Sequence, residues 1–513
     1  MTAAIAPSRT GLRPEGSGFG SLLHAEWTKF RTVRGLVIGM FIVAVVTVGV
    51  ALLNHSTCGG VVTPGGPSTV GVGCAGPPVG PGGEAVTDTF YFVHQPLAGN
   101  GSITARITSL AAGPGPAGLQ PWAKAGIIIT ASTRPGSAYA AMMATAGHGV
   151  RMQYDYTGDT AGPPGIIAAK SPRWLRLTRS GDTLTGYESA TGTRWRAVGT
   201  VHLTGLPAKV QAGMFATSPA PSQTTSQSIS GSSAAGALAM ATGRFDHVSL
   251  RSGRPGSAWA GDPVGGGAPG TGFHQTGGAI TVTGTGDIAP YEGAAGASGS
   301  TIASTLLGAV AGLIAVVVVA TMFVTAEYRR RLIRVTFAAS PARGRVLAAK
   351  AVVIGSVTFV AGLAGAIPAV LLGERLLRSN GNFILPTSFL TDIRVVAGTA
   401  AVLAVAAVLA LAVGTLLRSS AVAVTAVIAV IVLPYLLALT VLSGGAADWA
   451  LRVTPAAAFA IQQTIPQYPQ VIASYTPGDG YFPLLPWAGL SVLCGYAAVA
   501  LGLAVVLLRR RDA

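Results

Sequence analysis

The chain has 513 residues, of which 50% are hydrophobic and only 10% are charged, and it carries a formal net charge of +16. Ordinary soluble domains have about a quarter of their residues charged, so this composition excludes a soluble globular protein and indicates an integral membrane protein. Nucleic-acid binding does not explain the positive charge, because the basic residues concentrate beside apolar runs and neither a recognition module nor an aromatic stacking platform stands out.

We predict that residues 1–35 form a cytoplasmic segment that contains an amphipathic helix at the membrane surface. At helical spacing, Trp27 and Phe30 fall on one face, whereas Lys29 and Arg31 fall on others. Such a helix lies in the membrane interface before the chain enters the bilayer. The alternative is an ordinary flank of the first membrane span. The residues that we assign to the interfacial helix are Glu26, Trp27, Lys29, Phe30 and Arg31.

Six apolar runs are long enough to cross the hydrocarbon core, which requires about 20 residues of helix. None of them contains Asp, Glu, Lys or Arg. The predicted spans are residues 36–53, 301–325, 351–372, 395–417, 421–442 and 488–508. The sequence therefore predicts a six-helix membrane bundle.

The charges that flank these runs predict the orientation of the chain. The loop 326–350 carries seven basic side chains against one acid, Glu327, and residues 509–513 begin with three arginines. Short loops rich in Lys and Arg stay on the cytoplasmic side, because these cations resist translocation. We therefore expect both termini in the cytoplasm of a multi-pass plasma-membrane protein, with residues 54–300 and the loop 443–487 outside.

The large insertion between the first two spans predicts an extracellular domain with a tether at each end. Residues 54–84 are crowded with Gly and Pro, and residues 252–300 form a Gly-rich linker. Between them, residues 85–251 contain short alternating or β-branched runs separated by turn residues, which predict an antiparallel β-sandwich. The predicted strands are 102–110, 125–131, 139–145, 150–156, 173–179, 183–188, 194–201, 209–216 and 245–251, with a loop over 217–242.

The three cysteines divide by location. Cys58 and Cys74 lie in the first extracellular tether, whereas Cys494 lies in the last span. An oxidising exterior permits a disulfide, so we expect Cys58 and Cys74 to pair, the alternative being two free thiols. No metal-ligand spacing is present.

The insertion resembles the concanavalin A-like jelly-roll modules of bacterial surface proteins. The resemblance rests on segments such as Pro121-Trp-Ala-Lys-Ala-Gly, Arg173-Trp-Leu-Arg-Leu-Thr-Arg and Phe245-Asp-His-Val. Some relatives bind carbohydrate and others are glycoside hydrolases, but hydrolysis needs two carboxylates across the scissile bond and the acids here are scattered. The candidate glycan contacts are Trp122, Tyr139, His148, Tyr154 and Asp155, with core packing as the alternative role of the aromatic residues.

The remainder of the chain resembles the ABC-2 type permeases of actinobacterial ABC transporters. The resemblance rests on His24-Ala-Glu-Trp-Thr-Lys-Phe-Arg-Thr before the first span, Glu327-Tyr-Arg after the second, and Pro341-Ala-Arg-Gly-Arg in the loop that follows. It implies that this loop contacts a separate ATPase and that the N-terminal helix braces the same subunit. The coupling residues that it implies are Glu327, Tyr328, Arg329, Arg330, Arg334, Pro341, Arg343 and Arg345.

A permease of this kind cannot supply its own energy. The chain has no Gly-x4-Gly-Lys-Ser/Thr loop to cradle phosphates, so a partner subunit would bind ATP, and we expect neither enzymatic activity nor a cofactor in this chain. Spans without ionisable residues also disfavour an ion-coupled carrier. We expect the permease subunit of an exporter that moves an amphipathic substrate outward, together with ATPase subunits, a second copy or sibling permease, and membrane lipid. The alternative is a membrane-anchored protein whose sandwich binds or senses an extracellular glycan.

Overall fold

The chain folds into a helical bundle and a β-sandwich. The computed structural model describes residues 18–53, 76–165, 171–221, 224–228, 231–234, 237–252, 258–291, 300–329, 343–442, 445–465, 467–471 and 480–511. Cys58 and Cys74, the expected disulfide pair, lie outside these residues.

Eight α-helices and two 3-10 helices form the described part of the bundle. They are α1 (Phe19–Thr32), α2 (Arg34–Leu53), the 3-10 helix Ile302–Leu306, α3 (Gly308–Arg329), α4 (Arg343–Ser379), α5 (Phe389–Leu417), α6 (Ser420–Thr440), α7 (Gly445–Val453), the 3-10 helix Pro455–Gln462 and α8 (Pro486–Arg511). Six of them, namely α2, α3, α4, α5, α6 and α8, are long and apolar enough to cross a membrane. The predicted six-helix bundle is confirmed.

Several helices continue well beyond the apolar runs that identify them. α4 has 37 residues and begins at Arg343, so residues 343–350 of the expected loop 326–350 are helical, and α3 continues to Arg329 on its other side. Hydropathy marks only the apolar part of a helix, whereas the backbone hydrogen bonds continue through residues of good helix propensity. α5 has a defined cap at each end, because the Ser388 side chain accepts a hydrogen bond from the Thr391 backbone and Arg418 terminates the helix in a left-handed conformation.

The sandwich contains two seven-stranded antiparallel sheets. The strands are β1 (Val86–Asp88), β2 (Phe90–Ala98), β3 (Gly101–Ala112), β4 (Lys124–Thr130), β5 (Tyr139–Thr145), β6 (Gly149–Tyr154), β7 (Gly158–Ala161), β8 (Arg173–Ser180), β9 (Thr183–Ser189), β10 (Arg196–His202), β11 (Lys209–Thr217), β12 (Thr224–Ser228), β13 (Gly231–Ala234), β14 (Met240–Arg251), β15 (Ala260–Val264), β16 (Gly272–Thr276), β17 (Ala279–Thr285) and β18 (Ile288–Pro290). The sheet orders are β10-β9-β8-β3-β14-β17-β16 and β15-β2-β11-β4-β5-β6-β7, and two further pairs are β1-β18 and β12-β13. The predicted antiparallel sandwich is confirmed. Its assignment as concanavalin A-like stays a prediction.

The expectation that residues 252–300 form a linker was wrong, because four strands lie within this segment. β15 pairs with β2 in one sheet, β17 pairs with β14 in the other, and β18 pairs with β1, so the domain closes at Pro290. β17 alternates buried and half-buried residues along its length, as a strand with one face in the core must. The Gly-rich composition of this segment marks turns between short strands. The predicted loop 217–242 likewise contains the β12-β13 hairpin, and β2 was not predicted.

The sandwich meets the bundle at one end. Ala85, which precedes β1, packs with Leu385 in the connection between α4 and α5 and with Ile465. Gln470, which is buried, also reaches the carbonyl oxygen of Thr157 at 3.3 Å. The end of α3 and the start of α4 therefore lie at the opposite end of the bundle, a full helix length away from the sandwich.

Candidate functional site

Four charged side chains from three helices meet at the bundle end that lies opposite the sandwich. Glu26 and Lys29 come from α1, Glu327 from the last turn of α3, and Lys350 from the second turn of α4. Two acids face two lysines, so the group is formally neutral. We call these four residues the charge cluster.

The charge cluster is centred on the Lys350 ammonium group. Lys350 Nζ lies 2.6 Å from Glu26 Oε2 and 2.7 Å from Glu327 Oε1. Lys29 Nζ contacts the same two acids, at 2.8 Å from Glu26 Oε1 and 3.2 Å from Glu327 Oε1. Each lysine thus bridges α1 to α3, and Lys350 adds α4 to the same network.

Three members of the charge cluster are withdrawn from solvent. Glu26 is 2% exposed, Lys350 1% and Glu327 8%, whereas the Lys29 side chain is 40% exposed. A buried charge is tolerated only when it is paired and hydrogen-bonded, so each of these residues depends on the others. Two aromatic rings cover the group, since Lys350 Nζ lies 4.8 Å from the centre of the Phe323 ring and Phe30 packs edge-on against Phe323.

The lysine at the rim of the charge cluster remains protonated. Partial burial acts to lower the pKa of Lys29, but the hydrogen bonds and negative charges of Glu26 and Glu327 outweigh it and raise that pKa above its ordinary value. Glu327 Oε2 is buried and has no hydrogen-bond partner among the described residues. Within these residues, the second carboxylate oxygen of Glu327 is therefore free to accept a hydrogen bond.

A second layer of contacts ties the same end of the bundle to α5 and α8. Arg343 Nη1 donates to the Leu508 carbonyl oxygen at 2.8 Å, which links the start of α4 to the end of α8. The Arg418 guanidinium lies 5.3 Å from the centre of the Tyr328 ring, which links the end of α5 to α3. Tyr328 and Arg343, both predicted coupling residues, therefore anchor helix ends.

Other predicted coupling residues form the outer surface of this end. Arg329 and Arg345 are exposed, as are Arg31 and, at 44%, Trp27. Arg330, Arg334 and Pro341 lie outside the described residues. The structure thus separates the predicted residues into a buried group around Glu327 and an exposed, mostly basic group around it.

Lys350 was expected only as one of the loop cations, and its role in the site was not predicted. One available signal was the scarcity of lysine, which occurs only at positions 29, 124, 170, 209 and 350. Lys29 and Lys350 belong to the charge cluster, and Lys124 forms a fully buried ion pair with Asp287 at 2.6 Å. Three of the four lysines within the described residues thus lie in ion pairs, whereas Lys209 is exposed.

The predicted glycan contacts in the sandwich are mostly structural. Trp122 is 5% exposed and stacks on His148 at 3.8 Å, and Tyr139 is 1% exposed with its backbone N–H bonded to Asp155. Neither Trp122 nor Tyr139 offers a free ring face to a sugar, which corrects that expectation. Tyr154 is half-buried and packs against the sandwich core. Within the described ranges, no group of three His, Cys, Asp or Glu side chains could hold a metal ion.

The solved structures that match this chain cover less than half of it and have low similarity. A crystal structure of scytalido-glutamic peptidase with a transition-state analogue inhibitor shares 9% identity over 38% of this chain and 98% of that chain, with a TM-score of 0.26. The peptidase SCP-B of the Eqolisin family, in complex with the tripeptide Ala-Ile-His, shares 7% identity over 38% and 98%, with a TM-score of 0.24. A functionally unknown protein from Saccharomyces cerevisiae shares 14% identity over 31% and 73%, with a TM-score of 0.20. Similarities this low carry no argument about the chain.

The bundle gives a decisive comparison. No curated protein matches the chain. Residues 206–513, more than half of the chain, match the family described as ABC-2 family transporter protein. This stretch includes α3, the start of α4 and therefore Glu327 and Lys350. The chain belongs to the ABC-2 family of transporter proteins.

Proposed function

We propose that this ABC-type permease is the membrane subunit of an exporter and that the charge cluster couples it to a separate cytoplasmic ATPase. The observation that carries the proposal is the burial of Lys350 between Glu26 and Glu327, because this contact joins the surface helix α1 to two membrane helices. Permeases of the ABC-2 family normally work with an ABC ATPase. In this arrangement the exposed residues Trp27, Arg31, Arg329 and Arg345 contact the ATPase.

The charge cluster suits a coupling role because it resists deformation. Removing one partner from a buried ion pair costs about 3–5 kcal/mol, so α1, α3 and α4 move together more readily than they separate. Closure of the ATPase on ATP would push on α1 and on the segment between α3 and α4. The rigid connection then transmits that displacement to the membrane helices, which rock between inward-open and outward-open states.

The spare acceptor of Glu327 strengthens this assignment. Glu327 Oε2 lies at the end of α3, where the chain enters the segment that the family resemblance assigns to the ATPase contact. A buried acceptor that has no partner among the described residues carries a free-energy cost, which a donor from the ATPase would relieve. A hydrogen bond formed there in one state of the transport cycle would stabilise that state selectively.

We also propose which side of the membrane each part of the protein occupies. The charge cluster lies on the cytoplasmic side with both termini, and the sandwich lies outside the cell. Two such permeases, as two copies or as siblings, pair with two ATPase subunits. The substrate is an amphipathic molecule that crosses outward through an uncharged interface between the helices.

The test is co-expression with candidate ATPase subunits, followed by pull-down and by measurement of substrate-stimulated ATP hydrolysis and efflux. Glu327→Gln keeps the shape of the side chain but removes its charge, and we expect it to reduce stimulated hydrolysis and efflux at least tenfold. Arg343→Gln loosens the start of α4, and we expect it to weaken pull-down.

The matched control is Arg378→Gln, at the opposite end of α4, where the side chain is 64% exposed. We expect that variant to behave as wild type in all three assays. Unchanged pull-down, hydrolysis and efflux in both Glu327→Gln and Arg343→Gln would remove the coupling role from the charge cluster.

A further inference from the structure

A cavity of about 570 Å³ lies at the sandwich-bearing end of the bundle. It lies between the first turns of α5 and the chain that precedes α8. Its walls include Arg394, Gln463, Thr464, Tyr481, Phe482 and Leu485. The lining therefore combines polar residues and a cation with aromatic and aliphatic residues.

The cation of this cavity has unused donors. Arg394 Nη2 donates to the Gln463 carbonyl oxygen, but Arg394 Nε is buried and has no hydrogen-bond partner within the described ranges. Among those same residues, no carboxylate pairs with Arg394. Asp392, two positions away, accepts a hydrogen bond from Thr387 Oγ1 at 2.5 Å. A guanidinium that keeps a free N–H in a sheltered site is suited to an anion.

Two further polar atoms in the cavity are also unsatisfied. Gln463 Oε1 and Thr464 Oγ1 are buried, and neither has a partner in the part of the chain that the structure describes. The amide oxygen can only accept a hydrogen bond, whereas the hydroxyl can donate or accept. Together with Arg394, they would satisfy a head group that combines a negative charge with a hydroxyl group.

Exposed apolar side chains lie at the cavity and at the helix starts beside it. Leu485 lines the cavity and is 78% exposed, and around the same helix starts Phe389, Leu390 and Trp487 are 75%, 77% and 65% exposed. Large exposed apolar and aromatic side chains at the ends of membrane helices mark the lipid interface. An acyl chain in the bilayer could therefore enter along Leu485 while its head group remains in the polar part.

From these four observations we infer that the cavity binds an amphiphile with an anionic phosphate or carboxylate head group that carries a hydroxyl, seated on Arg394. Two sources share this chemistry, namely a lipid of the surrounding membrane and a transported amphiphile. The inference does not depend on the ATPase or on the direction of transport.

The test uses the full-length protein in nanodiscs and a fluorescent phosphatidylglycerol probe, with labelled phosphatidylcholine as the zwitterionic reference. We expect wild type to prefer phosphatidylglycerol about tenfold, the size of effect that a charge-assisted hydrogen bond supplies. Arg394→Gln should abolish this preference. Arg378→Gln removes an exposed arginine from the same end of the bundle, and we expect it to keep the preference.

A second variant keeps the test decisive if Arg394→Gln fails to fold. Gln463→Glu retains Arg394 but places a carboxylate in the cavity, and it should reduce phosphatidylglycerol binding by a similar factor. A folded Arg394→Gln or Gln463→Glu protein with the wild-type preference would overturn the inference. Complete displacement of the probe by millimolar inorganic phosphate would also overturn it, since the site would then take a free anion.

The source of the amphiphile is decided by adding the ATPase partner and ATP to the loaded wild-type protein. Release of bound probe identifies a transported amphiphile, and retention identifies a resident lipid. Either result requires that the probe binds in an Arg394-dependent way and therefore supports the proposed site.

Discussion

Glu26 Oε2 accepts a 2.6 Å hydrogen bond from Lys350 Nζ, although the two residues are 324 positions apart in the chain. The bond joins a surface helix that precedes the first membrane span to the helix that forms the third. The sandwich and two membrane helices lie between them in sequence. The relationship explains why an acid on a short amphipathic helix is buried: its partner is a buried lysine on another helix.

Replacement of Lys350 by Met tests the dependence of the charge cluster on its central cation. Two buried carboxylates would then share Lys29 alone, so we expect a loss of about 3 kcal/mol in the free energy of unfolding. Lys29→Met is the matched control, because Lys29 contacts the same acids but its side chain is 40% exposed, and it should cost less than about 1 kcal/mol. Chemical denaturation of both purified variants makes the comparison. Equal losses would contradict the unequal burial of the two lysines.

Replacement of Gly489 by Ala tests the packing of α8 against the 3-10 helix Pro455–Gln462. A Cβ atom at Gly489 would lie 2.1 Å from the backbone oxygen of Ala457, so the two elements must separate. Overpacking of this kind costs about 1–3 kcal/mol. Gly495, on the same helix, has open space around it, and Gly495→Ala should be neutral or stabilising by up to about 1 kcal/mol. Thermal unfolding should place the midpoint of Gly489→Ala below that of Gly495→Ala, and the reverse order would refute the close approach.

The stability of the sandwich should fall as pH rises from 4 to 6 because of Asp88. Burial raises the pKa of this carboxyl from 3.8 to about 6, against the hydrogen bonds that it accepts from Tyr156 and from the Gly136 backbone. The folded state therefore binds more protons than the unfolded state in this window, and deprotonation at higher pH destabilises it. A pKa shift of this size corresponds to a change of roughly 3 kcal/mol in the free energy of unfolding.

Asp88→Asn should remove this dependence. The amide oxygen can still accept from Tyr156 and Gly136 but never ionises. We expect the free energy of unfolding of the variant, relative to wild type, to rise by about 3 kcal/mol between pH 4 and pH 7. Denaturant titrations of both full-length proteins at the two pH values measure this difference. Parallel pH profiles would show that Asp88 titrates normally.

Thiol counting tests the expected disulfide between Cys58 and Cys74. Cys494 is a free, exposed thiol among the described residues. Alkylation of the unreduced, denatured protein should therefore modify one cysteine, and alkylation after reduction should modify three. Intact-mass measurement counts the additions. Three additions without reduction would establish that the tether cysteines are free.

The sequence predicted the elements that a run of neighbouring residues specifies. The prediction failed where one composition is typical of two different structures. The six membrane helices follow from runs of about 20 apolar residues, a property of each segment alone. The Gly-rich segment 252–300 was interpreted as a linker, but β17 within it pairs with β14 and completes a sheet. Glycine marks tight turns as well as flexible chain, and only the pairing partner distinguishes the two.

The candidate site was likewise predicted only in part from the sequence. Glu327 was expected as a coupling residue from the family resemblance, but the burial of Glu26 and the central place of Lys350 were not expected. Glu26 has polar neighbours on its helix and Lys350 has apolar ones, and in neither segment does the sequence alone indicate that the charged side chain faces inward. The packing of α1 against α3 and α4 decides that, because it withdraws three of the charges from water and pairs them with one another and with Lys29.

The sequence by itself determined that this is a membrane protein with six spans and an inserted β domain, because hydropathy and strand periodicity are set by neighbours along the chain. Only the tertiary structure decided that Glu26, Lys29, Glu327 and Lys350 form one charge cluster, and that Arg394 faces a cavity with unsatisfied polar atoms. Both features depend on contacts between segments far apart in sequence. Such contacts are fixed when the whole chain buries its apolar surface and must satisfy every charge it buries with it.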